Sequence, residues 1–163
     1  MPDGLPYLAA LALAALFALS AVAKWRDLPG TARAFRALGV PRPWTAVRVV
    51  PGIEAGLAVV LVLAPEGGAM VAFALVVAFT VFLVGRLQAG VRAPCACFGG
   101  LGLSRLSWAD VVRNAWLLVA ALAAMAGTGP TAPGPTAVLA AIGVVAAAVG
   151  SVVAVARIDR VRT

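Results

Sequence analysis

The sequence predicts an all-α fold, a polytopic membrane helix bundle with a four-helix core and a fifth C-terminal transmembrane helix, and three observations carry that prediction. The chain of 163 residues is 63% apolar and only 12% charged, about half the charge of an ordinary soluble domain, where roughly 25% is usual. Its mean hydropathy is +1.05. Apolar runs near the roughly 20 residues that cross about 30 Å of hydrocarbon as helix recur along it, and basic residues are confined to alternate connections between them.

The first span, 5–23, is uncharged, and the basic residues follow it. A cleaved signal peptide carries its positive charge before the apolar run, so this segment reads as an uncleaved anchor. The first connection, "KWRDLPGTARAFRALGVPRPW", has room for a short helix, Thr31 to Leu38, with Thr31 as its cap and Pro41 and Pro43 beyond its end. Ala32, Phe35 and Leu38 repeat at helical spacing with Arg33 and Arg36 off the stripe, which places this helix at the membrane surface. The second span, 44–64, carries Glu54; "APEGG" makes a tight turn into the third, 68–85. Asp110, Arg113 and Asn114 occupy the first turns of the fourth span, 108–126, and a Gly/Pro/Thr linker leads to an uncharged fifth, 136–156. These spans use up the chain, so residues 1–163 read as a single integral membrane domain.

The thirteen basic residues fall at the first connection (Lys24, Arg26, Arg33, Arg36, Arg42, Arg48), the third (Arg86, Arg92, Arg105, Arg113) and the tail (Arg157, Arg160, Arg162). By the positive-inside rule the N-terminus is outside and the C-terminus cytoplasmic, in a bacterial-type inner or plasma membrane. The net charge of +7 is then a topology signal, with some attraction to anionic headgroups, and not a nucleic-acid signal. The lipid bilayer is the first partner the sequence names.

Cys95 and Cys97, the only cysteines, lie in a cysteine loop, 92–105, whose "APCACFGGLGLS" lacks the Asp, Asn and Lys of a solvated loop. Such a segment folds back on the bundle, since non-helical backbone at membrane depth needs protein or a water-filled cavity around it. Cysteines at i and i+2 can meet the Cα separation of about 4.4–6.8 Å that a disulfide requires. The alanine between them leaves a small strained ring, and strained disulfides are the labile or catalytic ones. A Cu(I) site through two thiolates is an alternative, but the chain has no histidine, and zinc needs about four ligands. No metal site is predicted. The bland alternative is that both cysteines are small buried apolar residues.

Glu54 is costly in hydrocarbon unless paired, protonated or facing a cavity. Lys24 and Arg113, on the same predicted membrane side, are its candidate partners, for helix packing or for proton handling. Arg113 and Asn114 also have two readings: a cation near the cysteine loop that raises the thiolate fraction, or a basic residue that snorkels to the headgroups.

"SAVAKWRD" at the end of the first span, "PGIEAGLAVVL" in the second, "CACFG" before the fourth and "VVRN" within it together resemble the methylamine-utilisation MauE family, related to DoxX-like membrane proteins. The resemblance covers roughly residues 8–126, and Cys-x-Cys-Phe-Gly is its most specific part. It implies a multi-pass helical bundle with a redox role, its founding members being needed for disulfide formation in periplasmic methylamine dehydrogenase. By that resemblance Cys95 and Cys97 are the redox pair, and Lys24, Glu54, Arg113 and Asn114 match recurring polar positions. The fifth span goes beyond the family's four-helix core, and the charge pattern puts the cysteine loop inside, where thiols are more often reduced.

Three functions follow as expectations. A thiol–disulfide oxidoreductase would cycle Cys95 and Cys97 with a thioredoxin-like partner; a quinone acceptor is chemically compatible but has no motif, and no other cofactor is predicted. A non-catalytic scaffold subunit would use the cysteines structurally. A soft-metal handler would lose its copper with either cysteine.

Overall fold

The computed structural model describes residues 4–91, 93 and 106–127, together with helical residues between 135 and 158. Five helices lie within 4–127, α1 (Leu5–Arg26), α2 (Leu28–Ala37), α3 (Pro43–Leu63), α4 (Pro65–Gln88) and α5 (Trp108–Met125), and no strand is present among the described residues. All but α2 are long and apolar enough to cross a membrane. They overlap the apolar runs 5–23, 44–64, 68–85 and 108–126, with ends that differ by up to three residues. Of the fifth, 136–156, the described residues are helical, and Trp116 of α5 donates its indole N–H to Ser151 Oγ at 2.8 Å; the rest lies outside the described residues.

Two local expectations are corrected. The short helix of the first connection starts three residues earlier than Thr31, because Asp27 and not Thr31 is its cap: the Asp27 carboxylate accepts the Gly30 N–H at 2.8 Å. Leu28 and Pro29 then take the first helical positions, where proline's missing N–H costs nothing, and Thr31 is buried inside the helix. The turn expected over "APEGG" shrinks to Ala64 alone. Pro65 opens α4, Glu66 sits in its first turn, where the helix dipole favours an acid, and both glycines are helical.

The long helices run alternately up and down, and α1, α3, α4 and α5 close into a ring, each in contact with the next. Ala10, Leu13 and Ala14 of α1 meet Leu57 and Leu61 of α3, Ala69 and Ala72 of α4, and Ala121 and Ala124 of α5 in a core that is buried throughout. Lipid tails are as apolar as these side chains, so close packing of small residues does the work that water exclusion does in a soluble protein. The α3–α4 hairpin shows how close: a Cβ on Gly68 would stand 2.8 Å from the Leu61 Cα. At the same end, a Cβ on Gly127 would lie 2.4 Å from Pro6.

The opposite end is covered by α2, whose Ala32, Ala34 and Phe35 pack on Val47 of α3, while Arg33 and Arg36 are exposed as the helical stripe requires. Antiparallel order brings the C-termini of α1 and α4 and the N-termini of α3 and α5 to this end. Lys24, Arg26, Arg33, Arg36, Arg42, Arg48, Arg86 and Arg113 therefore gather there, which is how the alternation of charge in the sequence becomes a charged end in space.

Candidate functional site

Glu54 lies midway along α3, and the sequence offers two cations for it. The structure selects Lys24, the last-turn lysine of α1: its ammonium donates to Oε1 at 2.7 Å and to Oε2 at 2.8 Å. Ser20, one turn earlier on α1, donates its hydroxyl to Glu54 Oε1 at 3.2 Å and accepts from Lys24 Nζ. The Lys24 side chain is 3% exposed and that of Glu54 12%. A charge that deep is tolerable only if it is paired and its remaining hydrogen-bonding capacity is used, and the serine supplies the second condition.

Arg113 takes a different acid. Its Nη1 lies 3.2 Å from Asp110 Oδ1, one turn back on α5. The other Asp110 oxygen accepts the backbone N–H of Ser107 at 3.0 Å, so a single carboxylate both caps α5 and holds the arginine. Asn114, on the next turn, is 2% exposed and donates Nδ2–H to Thr80 Oγ1 of α4 at 3.1 Å. Thr80 in turn gives its hydroxyl proton to the Val76 carbonyl at 2.6 Å, so its oxygen can only accept from the amide. That chain of donors fixes which way Asn114 faces.

These two polar groups share a cavity of about 400 Å³ within the helix ring. Ser20, Lys24, Glu54, Arg113 and Asn114 contribute to its wall, and the rest is apolar, with Phe17, Phe35, Phe79 and Phe82 around it. Four of the chain's six phenylalanines are thus spent on one space. Leu38 closes it from the α2 side and also packs with Leu83, Ala93 and Leu106. Ala93 and Leu106 are joined by a backbone hydrogen bond of 2.8 Å, Leu106 N–H to Ala93 C=O. They flank the segment that contains Cys95 and Cys97. The two cysteines themselves, and the loop expected over 92–105 apart from Ala93, lie outside the described residues.

The family model described as Methylamine utilisation protein MauE matches residues 3–127. The chain belongs to the MauE family. It is 33% identical over 127 residues to "Methylamine utilization protein MauE" from Paracoccus denitrificans, an alignment that covers 74% of this chain and 68% of that protein. No solved structure matches it. With four membrane-crossing helices in the matched region, this MauE-family chain is a multi-pass membrane protein.

Of the residues expected from the MauE-like sequence pattern, Lys24 and Glu54 are brought into direct contact, while Arg113 and Asn114 line the same cavity without touching that pair in the bonds above. Ser20, Thr80 and the phenylalanine wall are not predicted from the sequence, in which Asp110 stands only as a first-turn residue. Ser20 did carry a signal, since it precedes Lys24 by one helical turn and so shares its face. Thr80 stands in an apolar run with nothing to mark its partner.

Proposed function

We propose that this MauE-family protein is a membrane thiol–disulfide redox protein that serves methylamine utilisation, with Cys95 and Cys97 alternating between dithiol and disulfide. Exchange with a thioredoxin-like partner proceeds through a mixed disulfide: a thiolate on one protein attacks the disulfide of the other, one S–S bond forms as one breaks, and the second thiol of the attacking pair resolves the intermediate. Two electrons and two protons pass from dithiol to disulfide in the full exchange. The MauE name of the Paracoccus denitrificans relative supports the link to methylamine. The alternation of basic residues supports an N-terminus outside and a C-terminus in the cytoplasm.

The observation that carries the redox reading is the junction of Ala93 and Leu106. It returns the chain to one point beside Leu38, which lines the polar cavity, and Cys95 and Cys97 follow Ala93 by two and four residues. Buried polar groups in a membrane bundle are costly and mark functional paths by default. Membranes containing the chain should oxidise or reduce a purified thioredoxin supplied as probe, and Cys95→Ser and Cys97→Ser should each stop the exchange. Unchanged exchange in both variants would remove the cysteine pair from the mechanism.

A further inference from the structure

We infer that the cavity between the four long helices binds a lipid-soluble quinone, ring inward, entering sideways from the bilayer between α3 and α4. The volume of about 400 Å³ falls within the usual range for small-molecule sites, roughly 300–1,000 Å³. Its composition is that of such a site too: a mostly apolar wall with a few convergent polar groups.

The route follows from what α3 and α4 place along their lengths. At their hairpin they touch backbone to backbone through Gly68 and Leu61, but further along, Phe79 and Phe82 of α4 and Val50 and Ile53 of α3 stand around the cavity instead. Ile53 is 50% exposed and Ala78 is exposed, although both line the same space. Each lies near the middle of its helix, so this mouth faces hydrocarbon and not water. A molecule that enters there is already dissolved in lipid.

The wall then selects the head of that molecule. Phe17, Phe35, Phe79 and Phe82 line the space, and an aromatic wall suits a planar ring, which makes offset or edge contacts with other aromatics. Lys24, Ser20 and Glu54 bond to one another, so most of their hydrogen-bonding capacity is spent within the group. Asn114 differs. Among the described residues its one hydrogen bond uses a single Nδ2–H, and an amide has two N–H donors and a carbonyl acceptor. Its second N–H suits a quinone carbonyl, and its oxygen suits the hydroxyl of the reduced quinol. A saturated acyl chain would use neither.

The electron-transfer step rests on the redox reading above. The quinone takes two electrons and two protons, its two C=O groups becoming C–OH; the Cys95 and Cys97 thiols lose two S–H bonds and form one S–S bond. Binding, by contrast, rests on the cavity alone, and the two are separable by experiment.

The full chain in phosphatidylcholine nanodiscs would be labelled with a photoreactive benzoquinone and the adducts mapped by mass spectrometry. Adducts are expected on the α4 residues that line the cavity, Leu75, Val76, Ala78, Phe79 and Phe82, saturating with probe and competed by decylubiquinone but not by decanol at equal concentration. Val76→Trp, which fills the space, and Asn114→Leu, which removes the amide, should each weaken competition, the former about tenfold or more, the equivalent of about 1.4 kcal/mol. Labelling that never saturates, that spreads over lipid-facing positions of every helix, or that decanol competes equally would overturn the site, as would full retention in Asn114→Leu. The Cys95→Ser/Cys97→Ser protein should label like the wild type. If it does, and reduced wild-type protein makes no quinol from decylubiquinone, the cysteine reading fails while the quinone site stands.

Discussion

At the hairpin end of the bundle, Ala10, Ala14, Ala69, Ala72, Ala121 and Ala124 let four helices close on one another, whereas at the charged end Phe17, Phe35, Phe79 and Phe82 stand around open space with Lys24, Glu54 and Asn114 in its wall. The same helices build both ends, and only the size and polarity of the inward residues change. In a solvent that gives helices no hydrophobic reason to associate, tight packing of small residues is what joins them. The hairpin end thus carries the assembly and leaves the other end free to hold charges and a cavity that would weaken a bundle obliged to rely on it.

The largest expected effect tests whether the charged end is paid for locally by its own pairing. Glu54→Leu leaves the Lys24 ammonium buried without its carboxylate, and breaking such a pair costs about 3–5 kcal/mol. Reversible unfolding in mixed micelles should show that loss, and Lys24→Met/Glu54→Leu should recover most of it. A double variant no more stable than Glu54→Leu would mean that the two residues do not act as a unit.

A matched pair of insertions sharpens the contrast between the ends. Ala121 is fully buried in the alanine core, so Ala121→Leu should cost about 1–3 kcal/mol by overpacking. Val76 borders the cavity, so Val76→Phe should cost less than about 1 kcal/mol, the extra volume having somewhere to go. Equal losses would show that the cavity collapses in the bilayer and that the two ends are packed alike. Smaller again, Asp27→Ala removes the carboxylate that accepts from Gly30 and should cost about 1 kcal/mol, as helix caps do. Its loss should appear as faster amide exchange confined to α2. Exchange that accelerates equally in α3 would show that α2 and the bundle unfold together.

The apolar spans were legible in the sequence and the contacts between them only in part, for a physical reason. Spans are written in composition, because hydrocarbon demands long apolar runs, and their alternation is written in the arginines. Partners are not. Glu54 stands in the sequence as a residue to be paired, protonated or set facing a cavity, and the Asp110–Arg113 pair is local, i and i+3 on α5, but the choice of Lys24 depends on how α1 sits against α3. Ser20 shares a helical face with Lys24, whereas Thr80 meets Asn114 across 34 residues of chain. The phenylalanines look like ordinary core residues in sequence, and their convergence on one cavity is a property of the ring of helices. Even the start of α2 turned on a single local competition, which Asp27 wins over Thr31 because its carboxylate reaches the Gly30 N–H.

A redox titration of the purified full chain in glutathione buffers, with mass spectrometry of the peptide that contains Cys95 and Cys97, tests the proposed redox pair. A reversible transition is expected in which that peptide loses two hydrogen atoms as an internal disulfide forms, and which disappears in Cys95→Ser. Thiols that remain reduced across the whole range, or that form only separate glutathione adducts, would contradict it.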